Sequence, residues 1–306
     1  MPQKVTNVQI SMKIFNDKYK PYLDDESRYL IFYGGGSSGK SYYIVQRYIY
    51  KILRKKMNLL VVRQTGDTNR NSTFALFKQV IHDWGLESLF TITDLRIKCN
   101  NGNEIIFKGL DDSEKIKSIT FESGELTDIW VEEATETLEA DINQLKVRLR
   151  GGTSKKQMVL SFNPINVSHW IKAHFIDSGL ATVCHSTYKD NKFLTEEDKQ
   201  TLESFKDTDP YYYDVYCLGN WGVLGKTYFN AKNISARLRT VTPPIKKGSF
   251  VYLYRDEKIK ASRWLEDSEG YIDIYEDVKE RVPYVLGGDT SRRTEAISLQ
   301  HLSSIT

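Results

Sequence analysis

Tyr29-Leu30-Ile31-Phe32-Tyr33-Gly34-Gly35-Gly36-Ser37-Ser38-Gly39-Lys40-Ser41 couples an apolar run of strand length to a turn that matches G-x-x-x-x-G-K-[ST] at every fixed position. The residues that follow, Tyr42-Tyr43-Ile44-Val45-Gln46-Arg47-Tyr48-Ile49-Tyr50-Lys51-Ile52-Leu53, read as a helix. A buried strand ends, glycines let the backbone curl with its N–H groups inward, and a helix begins with its positive dipole end facing the same point. That order decides the fold: an α/β domain of the P-loop type. The bland alternative, a glycine-rich turn between strand and helix, does not account for Lys40 and Ser41 at their fixed places.

Working outward, Asn58 to Arg63 is a second apolar run, followed by a helical pattern from about Ser72 to Trp84. Thr91–Lys98 and Glu104–Lys108 flank an Asn101-Gly102 step and predict a β-hairpin inserted between core elements. Further strands are expected at Ile129-Trp130-Val131, at Gln157 to Phe162 stopped by Pro164, and at Ala181 to Thr187, with a helix from Ala134 through Leu149. Strands alternating with helices predict a doubly wound, mainly parallel sheet. The texture changes past Asn191. Residues 1–190 read as the P-loop core, 191–245 as a helical linker or subdomain, and 246–306 as the start of a second unit that opens on Phe250-Val251-Tyr252-Leu253-Tyr254. The aromatic stretch Tyr211 to Tyr216 lacks interleaved Arg and Lys, so it reads as packing of the linker rather than a nucleic-acid stacking platform.

A loop of this pattern binds ATP with Mg²⁺. The backbone of Gly34, Gly35, Gly36, Ser37, Ser38 and Gly39 cradles the phosphates, Lys40 reaches the β- and γ-phosphates, and the Ser41 hydroxyl serves the metal. Such a site needs an acid on a neighbouring strand for the Mg²⁺ shell and a second to activate water. Ile129-Trp130-Val131 closes on both: Glu132 is the metal-side candidate and Glu133 the catalytic base. Charge developing on the phosphates calls for a cation. Arg148 is the first candidate, Arg150 its neighbour, and Arg63 at the end of its own strand a competitor. Ser161 and Asn163 end the next strand where the γ-phosphate should lie and could sense hydrolysis, although local turn hydrogen bonds explain them equally well.

Composition narrows the class. At 306 residues, with 40% hydrophobic and 27% charged, the chain has the make-up of an ordinary globular protein with one large or two medium domains. No run approaches the roughly 18 apolar residues of a membrane span, and Met1 to Asn7 lack the apolar core of a signal peptide, so the expectation is the cytosol. Cys99, Cys184 and Cys217 form no C-x-x-C pair and read as buried or semi-buried thiols. The histidines show no metal-ligand spacing. A net charge of +3 neither supports nor excludes a nucleic-acid partner.

In order along the chain, Tyr33 to Ser41, Val62-Arg63-Gln64, Phe107 to Asp112, Ile129 to Glu136, Arg148-Leu149-Arg150-Gly151, Ser161-Phe162-Asn163-Pro164 and Tyr188-Lys189-Asp190-Asn191 resemble the large subunit of the tailed-phage terminase, from about Phe15 to Asp289. The resemblance implies an ATP-driven motor that translocates double-stranded DNA into an empty capsid. It makes Glu132 and Glu133 the acidic-strand pair, and Ser161-Phe162-Asn163 the motif that couples hydrolysis to movement. It also implies work as a homo-oligomeric ring on the portal protein, a terminase small subunit as partner, and the host bacterial cytoplasm as location. Family members carry a C-terminal nuclease of RNase H-like fold using acids on Mg²⁺ or Mn²⁺. Tyr284 to Thr290 looks like its first strand, with Asp289 as the first metal-binding acid. A two-metal nuclease needs several carboxylates, yet Glu295 is the single acid among the 17 residues after Asp289. The expectation is therefore a fragment, or a truncated or frameshifted product, that does not cut DNA.

Two other readings compete. A small-molecule P-loop kinase would transfer phosphate to an acceptor under a lid, whereas this chain offers an inserted hairpin and two adjacent acids. A nucleotide-dependent assembly factor would bind ATP without significant turnover.

Overall fold

The computed structural model describes residues 8–111, 119–152, 154–164, 166–222, 242–255 and 258–277, with 237, 240, 279, 285–286 and 299–300. It divides into two compact units, Met1–Ser235 and Ala236–Thr306.

The first unit is built on an eight-stranded sheet in the order β3-β4-β5-β2-β6-β7-β1-β8. Its strands are β1 (Tyr29–Gly34), β2 (Asn58–Arg63), β3 (Phe90–Thr93), β4 (Arg96–Cys99), β5 (Glu104–Gly109), β6 (Asp128–Glu132), β7 (Gln157–Phe162) and β8 (Thr182–Ser186). From β5 to β8 every neighbouring pair is parallel, while β3 and β4 extend the edge antiparallel. The sequence predicts a separate two-armed hairpin here. Instead the first arm splits, because Leu95 takes a positive φ of 50° and turns the chain between β3 and β4. The third piece, β5, is a full member of the main sheet, pairing with β2 from Asn58–Glu104 to Arg63–Gly109.

Alternation along each central strand supplies both faces. Leu30, Phe32, Leu59, Val61, Trp130 and Val159 pack on the face covered by helix α1 (Lys40–Arg54) and the helix Ala75–Asp83. Ile31, Leu60, Val62, Ile129, Val131 and Leu160 pack on the other, under the helix Glu139–Arg148 and the segment around Phe175. A strand covered on both sides must be apolar throughout, which is why β2 and β7 read as unbroken hydrophobic runs. Trp130 is fully buried, and burial of a side chain that large contributes upwards of about 3 kcal/mol. All three cysteines are buried and free. No helix among the described residues is long and apolar enough to cross a membrane.

Two helical expectations shift, the first being the helix placed from Ala134 through Leu149, which divides into a 3₁₀ turn at Ala134–Glu136 and a helix at Glu139–Arg148. The helix placed from Ser72 begins at Gly66, passes through a π-helical turn at Arg70–Phe74 and ends at Asp83. Buried Asn69 explains the early start: its Nδ2 donates to the Val61 and Lys108 carbonyls at 3.0 and 2.8 Å, tying the turn to the ends of β2 and β5. Downstream, the helix Glu196–Thr208 and the turns through Cys217 lie in the same compact unit as the sheet.

The second unit contains a three-stranded antiparallel sheet in the order β10-β9-β11, formed by β9 (Lys246–Arg255), β10 (Lys258–Glu266) and β11 (Ile272–Ile274). Val285–Leu286 pairs antiparallel with Leu299–Gln300. Asp289 lies outside the described residues.

Candidate nucleotide site

Glycine geometry shapes the loop between β1 and α1. Gly34 has φ 151° and Gly39 φ 81°. A Cβ on Gly34 would overlap the Ser186 carbonyl, and one on Gly35 the Cys217 carbonyl. Through that close approach the Gly35 N–H donates to the Ser186 carbonyl at 3.0 Å and the Gly36 N–H to the Tyr216 carbonyl at 2.7 Å. The outer wall of the loop is thereby fixed to β8 and to the turn Tyr213–Cys217. Helix α1 starts at Lys40, and the first amides of an α-helix have no intrahelical acceptor, so the inner wall presents N–H groups and the positive dipole end to an anion.

Residues without an obvious sequence signal brace this loop. The Ser37 carbonyl accepts from Asn191 Nδ2 at 2.9 Å, and Asn191 Oδ1 accepts from Asn16 Nδ2 at 3.1 Å. The Tyr19 hydroxyl donates to the Ser38 carbonyl at 3.0 Å and lies 2.9 Å from Ser186 Oγ; burial pushes its pKa up to about 12, so it stays a donor. Tyr19 sits in a short 3₁₀ turn far upstream, Asp17–Tyr22, and Asn16 precedes it, with no periodicity to mark either. Asn191 ends a segment that the family resemblance singles out.

Lys40 is 8% exposed, and its Nζ donates to the Gly35 carbonyl at 3.1 Å and to Asn163 Oδ1 at 2.6 Å. Burial pushes the ammonium pKa down, and the charges of Glu132 and Glu133 oppose that shift. Ser41 Oγ donates to Glu132 Oε1 at 2.6 Å. The other oxygen of Glu132 accepts from Ser161 Oγ, which itself accepts from Trp130 Nε1 at 2.7 Å. Strand register makes this possible: β6 and β7 run parallel with Glu132 opposite Ser161, and Phe32 of β1 lies opposite the same Ser161. Three strand ends and one helix start therefore converge.

Glu133 leaves the strand with φ 53°, in the left-handed region that a non-glycine residue rarely adopts. Its carboxyl is pushed up to about 6, first by burial and then by the charge of Glu132, while Lys40 and Arg63 pull it down. A carboxyl raised toward neutrality, beside a second carboxylate whose two oxygens accept from Ser41 and Ser161, is the division expected of base and metal ligand.

The arginines separate. Arg63 NH1 donates to Ser72 Oγ at 3.1 Å and NH2 lies 3.5 Å from Glu136, while its buried Nε has no hydrogen-bond partner among the described residues. Arg148 instead donates to the Ile119 carbonyl, and Arg150 is exposed. Lys40 and Arg63 are thus the cations whose fields reach Glu133.

Among the described residues no three His, Cys, Asp or Glu side chains gather as a metal cluster. The donors at the loop, the Ser41 hydroxyl and the Glu132 carboxylate, are hard oxygens; they fit Mg²⁺, which takes one or two protein ligands and keeps water and phosphate oxygens for the rest.

The family model described as phage terminase large subunit matches residues 26–220. The chain belongs to the phage terminase large subunit family. It is 32% identical over 238 residues to the PBSX phage terminase large subunit of Bacillus subtilis (strain 168), covering 70% of this chain and 54% of that protein. It is 29% identical over 186 residues to the terminase large subunit of Bacillus phage SPP1, covering 56% of this chain and 44% of that one. The chain thus spans about half the length of the curated relatives it matches. Among solved structures, the large terminase of a thermophilic bacteriophage superimposes with a TM-score of 0.55 at 18% identity, covering 78% of this chain and 60% of that one. The same thermophilic-phage protein in complex with ATP-gamma-S gives a TM-score of 0.55 and covers 79% of this chain and 62% of that one. At that identity the likeness shows the shared terminase ATPase fold.

Proposed function

We propose that this terminase chain is the ATP-hydrolysing motor subunit that drives viral double-stranded DNA into a procapsid. The observation that carries the reading is the single constellation at the end of β1, where Lys40 meets Asn163 and Ser41 meets Glu132 with Glu133 beside them. The loop amides and Lys40 bind the triphosphate, and Lys40 exchanges its hold on Asn163 for phosphate oxygens. Ser41 and Glu132 would hold Mg²⁺, which would supply charge neutralisation for the bound phosphates. Glu133 orients the attacking water and takes its proton on a carboxylate oxygen. Arg63 fixes the field around that carboxylate, and Arg148 serves as the catalytic arginine only after releasing Ile119. Asn163 and Ser161 report the outcome, since each touches a group that changes partners when phosphate arrives or leaves.

Double-stranded DNA, the terminase small subunit and the portal protein are the partners of this reading, with a homo-oligomeric ring on the procapsid in the host cytoplasm. Residues 246–306 are assigned to the nuclease-type part, with Asp289 as its first metal-binding acid. Phosphate release from Mg·ATP, measured with and without linear double-stranded DNA, tests the reading. Stimulation by DNA without phosphate transfer to a small acceptor supports it; ATP bound but never hydrolysed, with or without DNA, overturns it.

A further inference from the structure

A second polar site lies at the far end of the same sheet. A cavity of about 200 Å³ opens where β2, β6 and β7 begin, lined by Met57, Asp128 and Gln157 at the strand starts and by Lys51, Lys55, Lys56, Lys155 and Lys156 around them. The nucleotide loop sits at the opposite, C-terminal end of the parallel strands. This pocket is therefore separate from the nucleotide loop.

Its charge is unbalanced. Lys51 is consumed by a buried pair with Asp128 at 2.8 Å, and Lys156 by Glu125 at 2.9 Å. Lys55 and Lys155 share one carboxylate, Glu26, whose pKa their hydrogen bonds pull down to about 2, and Lys56 meets the neutral Ser123 hydroxyl at 3.2 Å. Among the described residues, five ammonium groups thus face three carboxylates, Asp128, Glu125 and Glu26. The side chains of Lys55 and Lys155 remain 40% and 79% exposed, and Lys56 is exposed. Part of this charge complements the C-terminal end of α1, where Lys51 lies in the last turn and Lys55 caps the helix, but Lys155 and Lys156 come from a different segment and converge on the same opening.

We infer that the rim formed by Lys55, Lys56 and Lys155 is a contact surface for the phosphate backbone of double-stranded DNA. Lining chemistry selects that partner. Protein interfaces are depleted in lysine and centred on aromatic and apolar anchors, whereas this opening is lined by five lysines with Ser154, Thr127, Gln157 and the acids Glu26 and Asp128, and its one apolar residue, Met57, is buried. Lysines on flexible stems suit phosphate oxygens that carry charge but no sequence. The inference rests on the DNA motor reading, and adds to it a surface remote from the ATP site.

The experiment compares the full chain with Lys55→Ala/Lys56→Ala/Lys155→Ala and with Lys155→Glu alone, a change at a side chain too exposed to unfold the domain. Binding to a random-sequence duplex is followed by fluorescence anisotropy across a salt series, with ATP hydrolysis in the absence of DNA as a control. Each lost phosphate contact removes about 0.9 from the slope of log K against log salt, so the triple variant should lose about 2.7 and Lys155→Glu at least about 0.9. Hydrolysis without DNA should be unchanged. Parental slopes in both variants, with hydrolysis intact, overturn the inference, as does loss of binding to a polyglutamate probe with DNA binding untouched. Absence of hydrolysis in the parent would instead bring down the motor reading.

Discussion

Ser41 Oγ and Glu132 Oε1 lie 2.6 Å apart, joining the first turn of α1 to the end of β6 across 91 residues of sequence. Two hard oxygen donors held together before any ion arrives are a preorganised pair, so the ordering cost of the site is met by the fold. Ser41→Ala should lower metal-supported ATP hydrolysis about 10–100-fold, as loss of an orienting metal partner does, while Ser41→Thr keeps it. Steady-state phosphate release at varied Mg²⁺ checks this; an alanine variant with parental rate at low Mg²⁺ would remove Ser41 from the site.

Lys40 is held on Asn163 at 2.6 Å. An acid at that position would turn the hydrogen bond into a charge-assisted one and compete with phosphate for the ammonium. Asn163→Asp should therefore weaken ATP binding by about 10-fold, corresponding to about 1.4 kcal/mol. Titration with a fluorescent ATP analogue measures it, and an unaltered affinity would mean that Lys40 does not exchange partners.

Ser161 links Trp130 to Glu132. Ser161→Ala leaves the indole N–H of a fully buried tryptophan unpaired, which costs about 2 kcal/mol and lowers Tm by roughly 4–8 °C for a unit of this size. Ser161→Thr, which keeps the hydroxyl, should recover most of it. Thermal unfolding of both variants decides the point, and equal Tm values for Ala and Thr would contradict it.

Glu133 has a folded-state pKa of about 6 against an ordinary 4.5. Because burial raises it, the stability tied to the protonated form is fully present below about pH 4.5 and is lost as pH rises through 6. In EDTA and without nucleotide, Glu133→Gln should therefore be more stable than the parent at pH 8. The difference is about 1 kcal/mol after allowing for solvent screening, and it shrinks to nothing below about pH 4.5. Chemical denaturation at a series of pH values gives the curve; a variant less stable than the parent at pH 8 would show that the carboxylate is not under strain.

Much of the first unit is legible in the chain because its central strands are covered on both faces and must be apolar without interruption. Asn58–Arg63 and Gln157–Phe162 are recoverable to the residue for that reason. The loop between β1 and α1 and the acid pair Glu132–Glu133 at the end of β6 are legible as neighbours, since the structure brings Ser41 onto Glu132 and Lys40 into the field of Glu133 as their order along the chain predicts. The split at Leu95 is not: no glycine marks it, and the turn depends on a positive φ in a leucine. Nor do the braces Asn16 and Tyr19 announce themselves, because they act through contacts across more than 150 residues, and Asn191 is marked only by the family resemblance. The choice between Arg63 and Arg148 likewise turns on where a guanidinium points, which spacing does not encode.

The central claim is that Glu133 is the base at an ATP site built by Lys40, Ser41 and Glu132, and phosphate release by Glu133→Gln against the parent tests it most directly. With Mg·ATP and double-stranded DNA present, turnover should fall about 10²–10⁴-fold while ATP affinity stays within about threefold. A glutamine variant that hydrolyses ATP at the parental rate would contradict the account.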